Sequence, residues 1–159
     1  MTASPRAPHT PRPPRAPLPA SDQAAWSRVL ALHTRVEREL AAALQRRHGI
    51  GLSEYRSLEH LQHSQTSELR MQDLAERVGL GQSSVTRLVG RLEAAGFAVK
   101  DLCPSDKRGV YAVITEQGRA RYEAARATYA EVLSCALNTL TTDPELGPTV
   151  QALRATGPR

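Results

Sequence analysis

Aromatic side chains are scarce in this sequence of 159 residues: they make up 4%, with a single Trp and a single Phe. The core must therefore be built from Leu, Val, Ile and Ala, which suits packed helices better than a sandwich of strands. Cysteine is equally scarce, and Cys103 and Cys135 lie far apart at no metal-ligand spacing. We therefore expect a single, mainly α-helical domain in a reducing cytoplasm, without a disulfide framework.

Long apolar runs and catalytic motifs are also missing. No stretch reaches the ~18 apolar residues that a membrane span needs, and prolines stand where a signal peptide would carry its apolar segment. The sequence contains no nucleophile elbow, no glycine-rich phosphate loop and no HExxH. We expect a soluble protein that is not an enzyme, has no membrane partner and needs no cofactor.

Positive charge, by contrast, is in excess. Lys and Arg number 21 against 16 Asp and Glu, which gives a net charge of +5. Residues 1–20 hold seven prolines and three arginines but no acid, so we expect a disordered basic arm there. A basic chain with such an arm favours polyanionic partners, nucleic acid among them.

Two long segments, residues 21–48 and 115–155, show helical periodicity. Ser21 or Asp22 can cap the first helix, and Thr115 can cap the second, which reaches about Leu140 before a last short helix begins near Asp143. In both segments the apolar stripe is wider than one neighbouring helix would cover. We therefore expect dimerisation helices that contact a second subunit.

Residues 52–114, between the long helices, predict a smaller lobe. Ser53 is expected to cap a short helix, and the segment 72–78 predicts another that Gly79 ends. A third, amphipathic helix follows and stops at Gly96. Two β-branched and aromatic runs, 97–99 and 110–114, then flank a polar loop and predict a β-hairpin. The fold class is thus mainly α with a small hairpin wing, a winged helix-turn-helix.

The third helix and the hairpin expose residues suited to duplex DNA. The major groove admits one helix, and an Arg can make two parallel hydrogen bonds to guanine. Hydroxyl groups near the positive end of a helix suit phosphate oxygens, and an Arg in the minor groove meets enhanced negative potential. The candidate DNA-binding residues are Gln82, Ser83, Ser84, Thr86, Arg87, Arg91, Lys100, Lys107 and Arg108. Asp106 is expected to orient an arginine, either Arg108 or Arg91.

The run DLAERVGLGQSSVTRLVGRLEAAGF, followed by CPSDKRGVYAVITEQG, resembles the MarR (multiple antibiotic resistance regulator) family. The resemblance is carried by Asp106-Lys107-Arg108 at the wing tip and by Thr115 to Gly118 at the start of the last long helix. It implies a triangular homodimer whose first and last helices intertwine. Such a dimer represses promoters at pseudo-palindromic sites and releases them when a small molecule binds between the dimer base and the DNA-reading lobes. Two positions depart from the family pattern: Gly81 stands where a Ser or Thr cap is usual, and Lys100 where an Arg is usual.

Other functions remain open on the sequence alone. The chain could be a dimeric winged-helix protein-interaction module without specific DNA reading. Cys103 could be a redox switch in the wing, and Cys135 is expected to be a small core or interface residue.

The histidines leave two further alternatives. His60 and His63 could bind a metal with His33 or Glu59. Tyr55, His60, His33 and Trp26 could instead line an effector pocket. The sequence does not identify the effector itself.

Overall fold

Six helices and three strands make up the part of the chain that the computed structural model describes, residues 19–102 and 109–156. The helices are α1 (Pro19–His48), α2 (Leu52–Gln62), α3 (Met71–Val78), α4 (Gln82–Ala94), α5 (Glu116–Thr141) and α6 (Gly147–Ala155). The strands are β1 (Glu68–Arg70), β2 (Ala98–Leu102) and β3 (Val110–Ile114). The predicted mainly helical fold with a β-hairpin wing is confirmed.

The first helix begins slightly earlier than the sequence predicts. Helix α1 starts at Pro19, where a proline is favoured because the first amides of a helix have no intrahelical partner. The predicted arm, residues 1–20, therefore overlaps the helix by two residues, and residues 1–18 lie outside the described part of the chain.

Two clusters of buried residues divide the protein into a lobe and a base. The larger cluster joins α2, α3, α4 and the sheet to the first half of α5, where Tyr122 and Ala125 are buried. The smaller cluster joins Leu32 of α1 to Leu140, Leu146 and Val150. Helices α1 and α5 both contribute residues to the two clusters, so they connect the lobe to the base.

The sheet has a third strand that the sequence analysis missed. The strand order is β1-β3-β2, and both pairs are antiparallel. Ala112 of the central strand lies between Leu69 of β1 and Lys100 of β2. Strand β1 has only three residues, and of these only Leu69 is buried. So short a strand cannot display the alternation by which strands are predicted.

The Thr-x-x-Gly pattern at the start of α5 has a clear structural reason. The Thr115 hydroxyl accepts a hydrogen bond from the Gly118 amide at 3.0 Å and donates one to the Gly96 carbonyl at 2.6 Å. A Cβ on Gly118 would lie 2.1 Å from the Phe97 carbonyl oxygen. The cap and the glycine together hold α5 against the beginning of the wing.

The predicted cap of α2 is wrong by two residues. Gly51, not Ser53, precedes the first turn of α2, and the Gly51 amide donates to the Glu54 carboxylate at 2.9 Å. Ser53 instead lies inside that turn, where its carbonyl accepts from the Ser57 hydroxyl at 2.9 Å. An acid in the third helical position accepts the amide of the cap residue itself, so a glycine cap keeps this half of the capping box without a side chain of its own.

Of the two cysteines, Cys135 lies in the described part of the chain. Cys135 is exposed on α5, so it does not belong to the core of the protomer, one of the two places expected for it. It is exposed because it lies beside Ala136 and away from the buried stripe that ends at Leu140. Cys103, in the wing, lies outside the described residues.

Candidate nucleic-acid interface

Helices α3 and α4 meet at a tight turn that sets the angle of α4. Gly79 ends α3 with φ 69°, a left-handed conformation that favours glycine. The Gly79 amide donates to the Glu76 carbonyl at 3.2 Å, and the Leu80 amide donates to the Ala75 carbonyl at 2.9 Å. These two bonds close the helix end and aim the next helix across the lobe.

Helix α4 is amphipathic along its whole length. Its inner face is no more than 1% exposed and consists of Val85, Leu88, Val89 and Leu92. On the outer side Gln82, Ser83, Thr86 and Arg87 are exposed, while Ser84 and Gly90 are half-buried. The Thr86 hydroxyl donates to the Gln82 carbonyl at 2.9 Å and keeps its lone pairs for a donor from outside. We call this outer side the reading face.

The two arginines predicted for the reading face have different surroundings. Arg87 is exposed, and within residues 19–102 and 109–156 it makes no ion pair or side-chain hydrogen bond. Arg91 lies at the flank of the helix, where its Nε donates to Glu54 Oε1 at 3.0 Å while 59% of its side chain stays exposed. Both guanidinium groups are accessible, but of the two only Arg91 is held by a residue that the structure describes.

Lys100 is tied to α4 by a single acid. Its amide donates to Glu93 Oε1 at 3.0 Å, and its Nζ lies 2.9 Å from Glu93 Oε2. The hydrogen bonds from Lys100 hold the pKa of the Glu93 carboxyl below its usual value. The positive charge that the sequence predicts for the base of the wing is thus partly neutralised by the end of α4.

The wing tip itself lies outside the described residues, and with it Asp106, Lys107 and Arg108. Strands β2 and β3 stay paired up to Leu102 and Val110. Of the candidate DNA-binding residues, the six on α4 and Lys100 can therefore be located, and they lie on adjoining elements because α4 contacts β2.

Acids that hold cations are the site residues that the sequence analysis missed. Glu54 is 37 positions from Arg91, and only the packing of α2 against α4 brings them together. Glu93 and Lys100 are seven positions apart, across the turn between α4 and β2. The Gly-x-x-Glu spacing at the start of α2 was a usable local signal for Glu54, but nothing in the sequence indicated its second partner.

The residues considered for an effector pocket have different surroundings. Tyr55 is 1% exposed and stacks on Tyr129 with ring centroids 4.6 Å apart, whereas Trp26 is 62% exposed on α1. His33 pairs with Glu37 at 3.0 Å in an open cleft between α1, α2 and α4. That cleft is lined by Gly51, Glu54, Arg56 and Arg91 as well.

The metal-binding alternative finds no support in the described residues. His63 Nδ1 lies 2.8 Å from the Glu59 carbonyl, and its ring packs edge-on against Tyr122. Burial lowers the pKa of His60. Among residues 19–102 and 109–156, His, Cys, Asp and Glu nowhere form a group of three that could hold a metal ion.

A membrane-spanning helix is absent from the described ranges, where no helix combines the length and the apolar character needed to cross a bilayer.

Comparison with known proteins points to one family. Residues 48–109 match the model of the MarR family. The chain is 31% identical over 98 residues to the uncharacterized HTH-type transcriptional regulator YkoM of Bacillus subtilis (strain 168), and 32% identical over 72 residues to the HTH-type transcriptional regulator MhqR of the same organism. These matches cover 62% and 45% of this chain, and they span 62% and 48% of the two relatives, less than two thirds of either.

The fold comparison covers more of the molecule. Sco3205, a MarR family transcriptional regulator from Streptomyces coelicolor solved in complex with DNA, superposes with a TM-score of 0.71 and 27% identity, over 91% of this chain and 90% of that one. Residues 48–109 thus match the MarR family, and the described part of the chain has the winged helix-turn-helix fold of that family's transcriptional regulators.

Proposed function

We propose that this protein is a sequence-specific, dimeric regulator of transcription that binds duplex DNA and represses until a small molecule releases it. The observation that carries the proposal is the reading face of α4: a polar, basic surface on a helix whose opposite side is fully buried. Such a helix can enter the major groove without disturbing the core that supports it.

The proposed contacts divide by groove. Arg87 and Arg91 read guanine in the major groove, and Gln82, Ser83, Ser84 and Thr86 contact bases or phosphates at the N-terminal end of α4. Arg108, oriented by Asp106, reaches the neighbouring minor groove, and Lys107 contacts a phosphate beside it. Lys100 contacts the backbone at the base of the wing while it shares its charge with Glu93.

The proposed dimer is formed by α1, α5 and α6, with residues 21–48 and 115–155 as dimerisation segments and 52–114 as the DNA-binding lobe. Large apolar side chains are left exposed on these helices: Trp26 is 62%, Leu30 47% and Leu153 56% exposed. A single exposed apolar residue is ordinary on a protein surface. Three of them on the helices of the base favour an interface in which a second copy of the chain buries them. Two lobes related by twofold symmetry would suit a pseudo-palindromic site.

The proposed effector site is the cleft between α1, α2 and α4. Its walls carry His33, Glu37 and Arg56, where Arg56 Nη1 donates to Glu37 at 2.6 Å, and it also includes Arg91 of the reading helix. A small molecule with both polar and apolar parts fits such a lining. Because Arg91 belongs to the cleft and to α4, occupation of the cleft can move the helix off DNA.

We expect the protein to act in the cytoplasm. The direct test is a mobility-shift assay of the protein with duplex DNA from the region upstream of its own coding sequence. Specific binding that weakens steeply as salt is added supports the proposal, because cations on the protein release counterions from DNA. Binding to no duplex, together with a protein contact insensitive to salt, would favour the rival function of a winged-helix interaction module.

A further inference from the structure

The carboxylate of Glu54 contacts two different parts of the lobe. Its Oε2 accepts the Gly51 amide at 2.9 Å and so fixes the beginning of α2. Its Oε1 accepts Arg91 Nε at 3.0 Å and so fixes a side chain of α4. The Glu54 side chain is only 19% exposed, which makes this a shielded and well-determined position for an acid.

The bond from Nε to Glu54 does not use the terminal fork of Arg91. The two terminal nitrogens of a guanidinium point away from Nε, and they are the donors that match O6 and N7 of guanine. Within the described ranges Arg91 has no second acid or carbonyl partner, and 59% of its side chain is exposed. Glu54 therefore limits the rotation of Arg91 without using the donors that recognise a base.

Arg87 provides the contrast within the same helix. It is exposed one turn earlier, and no described residue restrains it. A free arginine loses rotamer entropy when it binds, which lowers its affinity. A side chain ordered before binding avoids part of that loss and presents its donors in one geometry.

We propose that Glu54 is a specificity-determining positioning residue: it never touches DNA, but it holds Arg91 in the orientation in which Arg91 discriminates between bases. This inference rests on the proposed function. It assigns to an acid of α2 a role in base reading that its charge alone would oppose.

Removal of Glu54 should have opposite effects on DNA binding depending on whether this residue acts by positioning Arg91 or only through its charge. Glu54 is a negative charge beside the reading face, so its removal should strengthen binding to any duplex. If Glu54 positions Arg91, the same removal should weaken the preference for the operator over unrelated DNA. The two effects change different quantities, and both can be measured on one variant.

The experiment uses the full chain with Glu54→Gln, which keeps the shape of the side chain and removes its charge. Dissociation constants for an operator duplex and for an unrelated duplex of the same length are measured by fluorescence anisotropy at several salt concentrations. We expect the operator preference to fall about tenfold, within the range that one bidentate contact contributes. Affinity for the unrelated duplex should stay equal or rise.

Two double-mutant cycles identify the partner. In an Arg91→Ala background, Glu54→Gln should cause no further loss of preference, because the residue that it positions is gone. In an Arg87→Ala background, which serves as the matched control, the full loss should remain. Arg91→Lys keeps a cation beside Glu54 but lacks the guanidinium fork, so it should lose operator preference without loss of thermal stability. This variant provides the test if Glu54→Gln fails to fold.

Two results would overturn the role of Glu54: an operator preference that survives Glu54→Gln, or an equal loss in the Arg91→Ala background. A wild-type protein with no operator preference at all would instead overturn the proposed function, and this role with it. The two failures are therefore distinguishable.

Discussion

Glu93 holds Lys100 at two points, the amide at 3.0 Å and the ammonium group at 2.9 Å. Glu93 lies in the last turns of α4, and Lys100 lies on β2, the outer strand of the wing. One carboxylate thus fixes the position of the wing relative to the reading face, and it does so through both the main chain and the side chain of a single residue.

Replacing Glu93 with Ala should loosen the wing while the lobe stays folded. The Lys100 amide would lose its acceptor, so its hydrogen exchange should become faster, whereas the amides of α3 should exchange as in the wild type. Equal exchange at Lys100 in both proteins would show that the carboxylate does not hold the strand.

The contact between Glu93 and Lys100 predicts that the free energy of unfolding depends on pH. Hydrogen bonds from Lys100 lower the pKa of Glu93 below 4.5, its ordinary value. A lowered pKa means that the stabilisation is complete above the unfolded value and is lost as the pH falls through the folded value. Below about pH 4.5 the wild type should therefore lose part of its stability advantage over Glu93→Gln. Urea unfolding of both proteins, at steps of ~1 pH unit between pH 3 and pH 7, measures this difference. A constant difference over that range would contradict this.

Gly118 and Gly90 form a matched pair for alanine substitution. A Cβ on Gly118 would meet the Phe97 carbonyl oxygen at 2.1 Å, whereas a Cβ on Gly90 has nothing within 4 Å. Gly118→Ala should lower the free energy of unfolding by about 1–3 kcal/mol or more, since backbone must move. Gly90→Ala should raise it by about 0.5–1 kcal/mol, because it removes a glycine from a helix interior. Denaturant unfolding measures both, and a stable Gly118→Ala variant would be incompatible with the close approach of α5 to the wing.

Arg87 is expected to contribute to DNA affinity through its charge and its donors. Arg87→Ala should cost about 1–3 kcal/mol of discrimination between the operator and an unrelated duplex, because it removes a base contact. The loss of base discrimination should be larger than for Lys107→Ala, since a phosphate contact carries little sequence information. Arg154→Ala is the control, because this arginine lies on α6 and bonds Asn138 at 2.6 Å. An equal loss of discrimination in Arg87→Ala and Arg154→Ala would mean that the effect is one of net charge.

The exposed apolar residues of α1 predict a dimer that a charge can break. Leu30 is 47% exposed, and Leu30→Glu should produce monomers in analytical ultracentrifugation, because an acid would be buried in the interface without a partner. Gln45→Glu adds the same charge at an exposed position of the same helix and should leave the dimer intact. Dimers of Leu30→Glu would place the interface elsewhere.

Much of the lobe could be predicted from the sequence because local patterns specify it. Val85, Leu88, Val89 and Leu92 follow the helical period, and all are buried on one face of α4. Strand β3 and the capping of α5 by Thr115 were likewise predictable from short-range signals. These elements also carry most of the family resemblance.

The remainder depends on contacts between distant parts of the chain. Strand β1 exists because Glu68 to Arg70 pair with residues 111–113, more than 40 positions later, and its three residues have no period of their own. The bond from Arg91 to Glu54 depends on how α4 packs against α2. The sequence could therefore indicate which arginines are available for DNA but not which of them is held in place.

The most direct test of the central claim is a hydroxyl-radical footprint of the wild-type protein on its upstream duplex, with Arg87→Ala beside it. The account predicts two protected segments about 10 base pairs apart, as two reading helices on one face of DNA require, and their loss in the variant. A single protected segment, or the same two segments at unchanged affinity in Arg87→Ala, would contradict it.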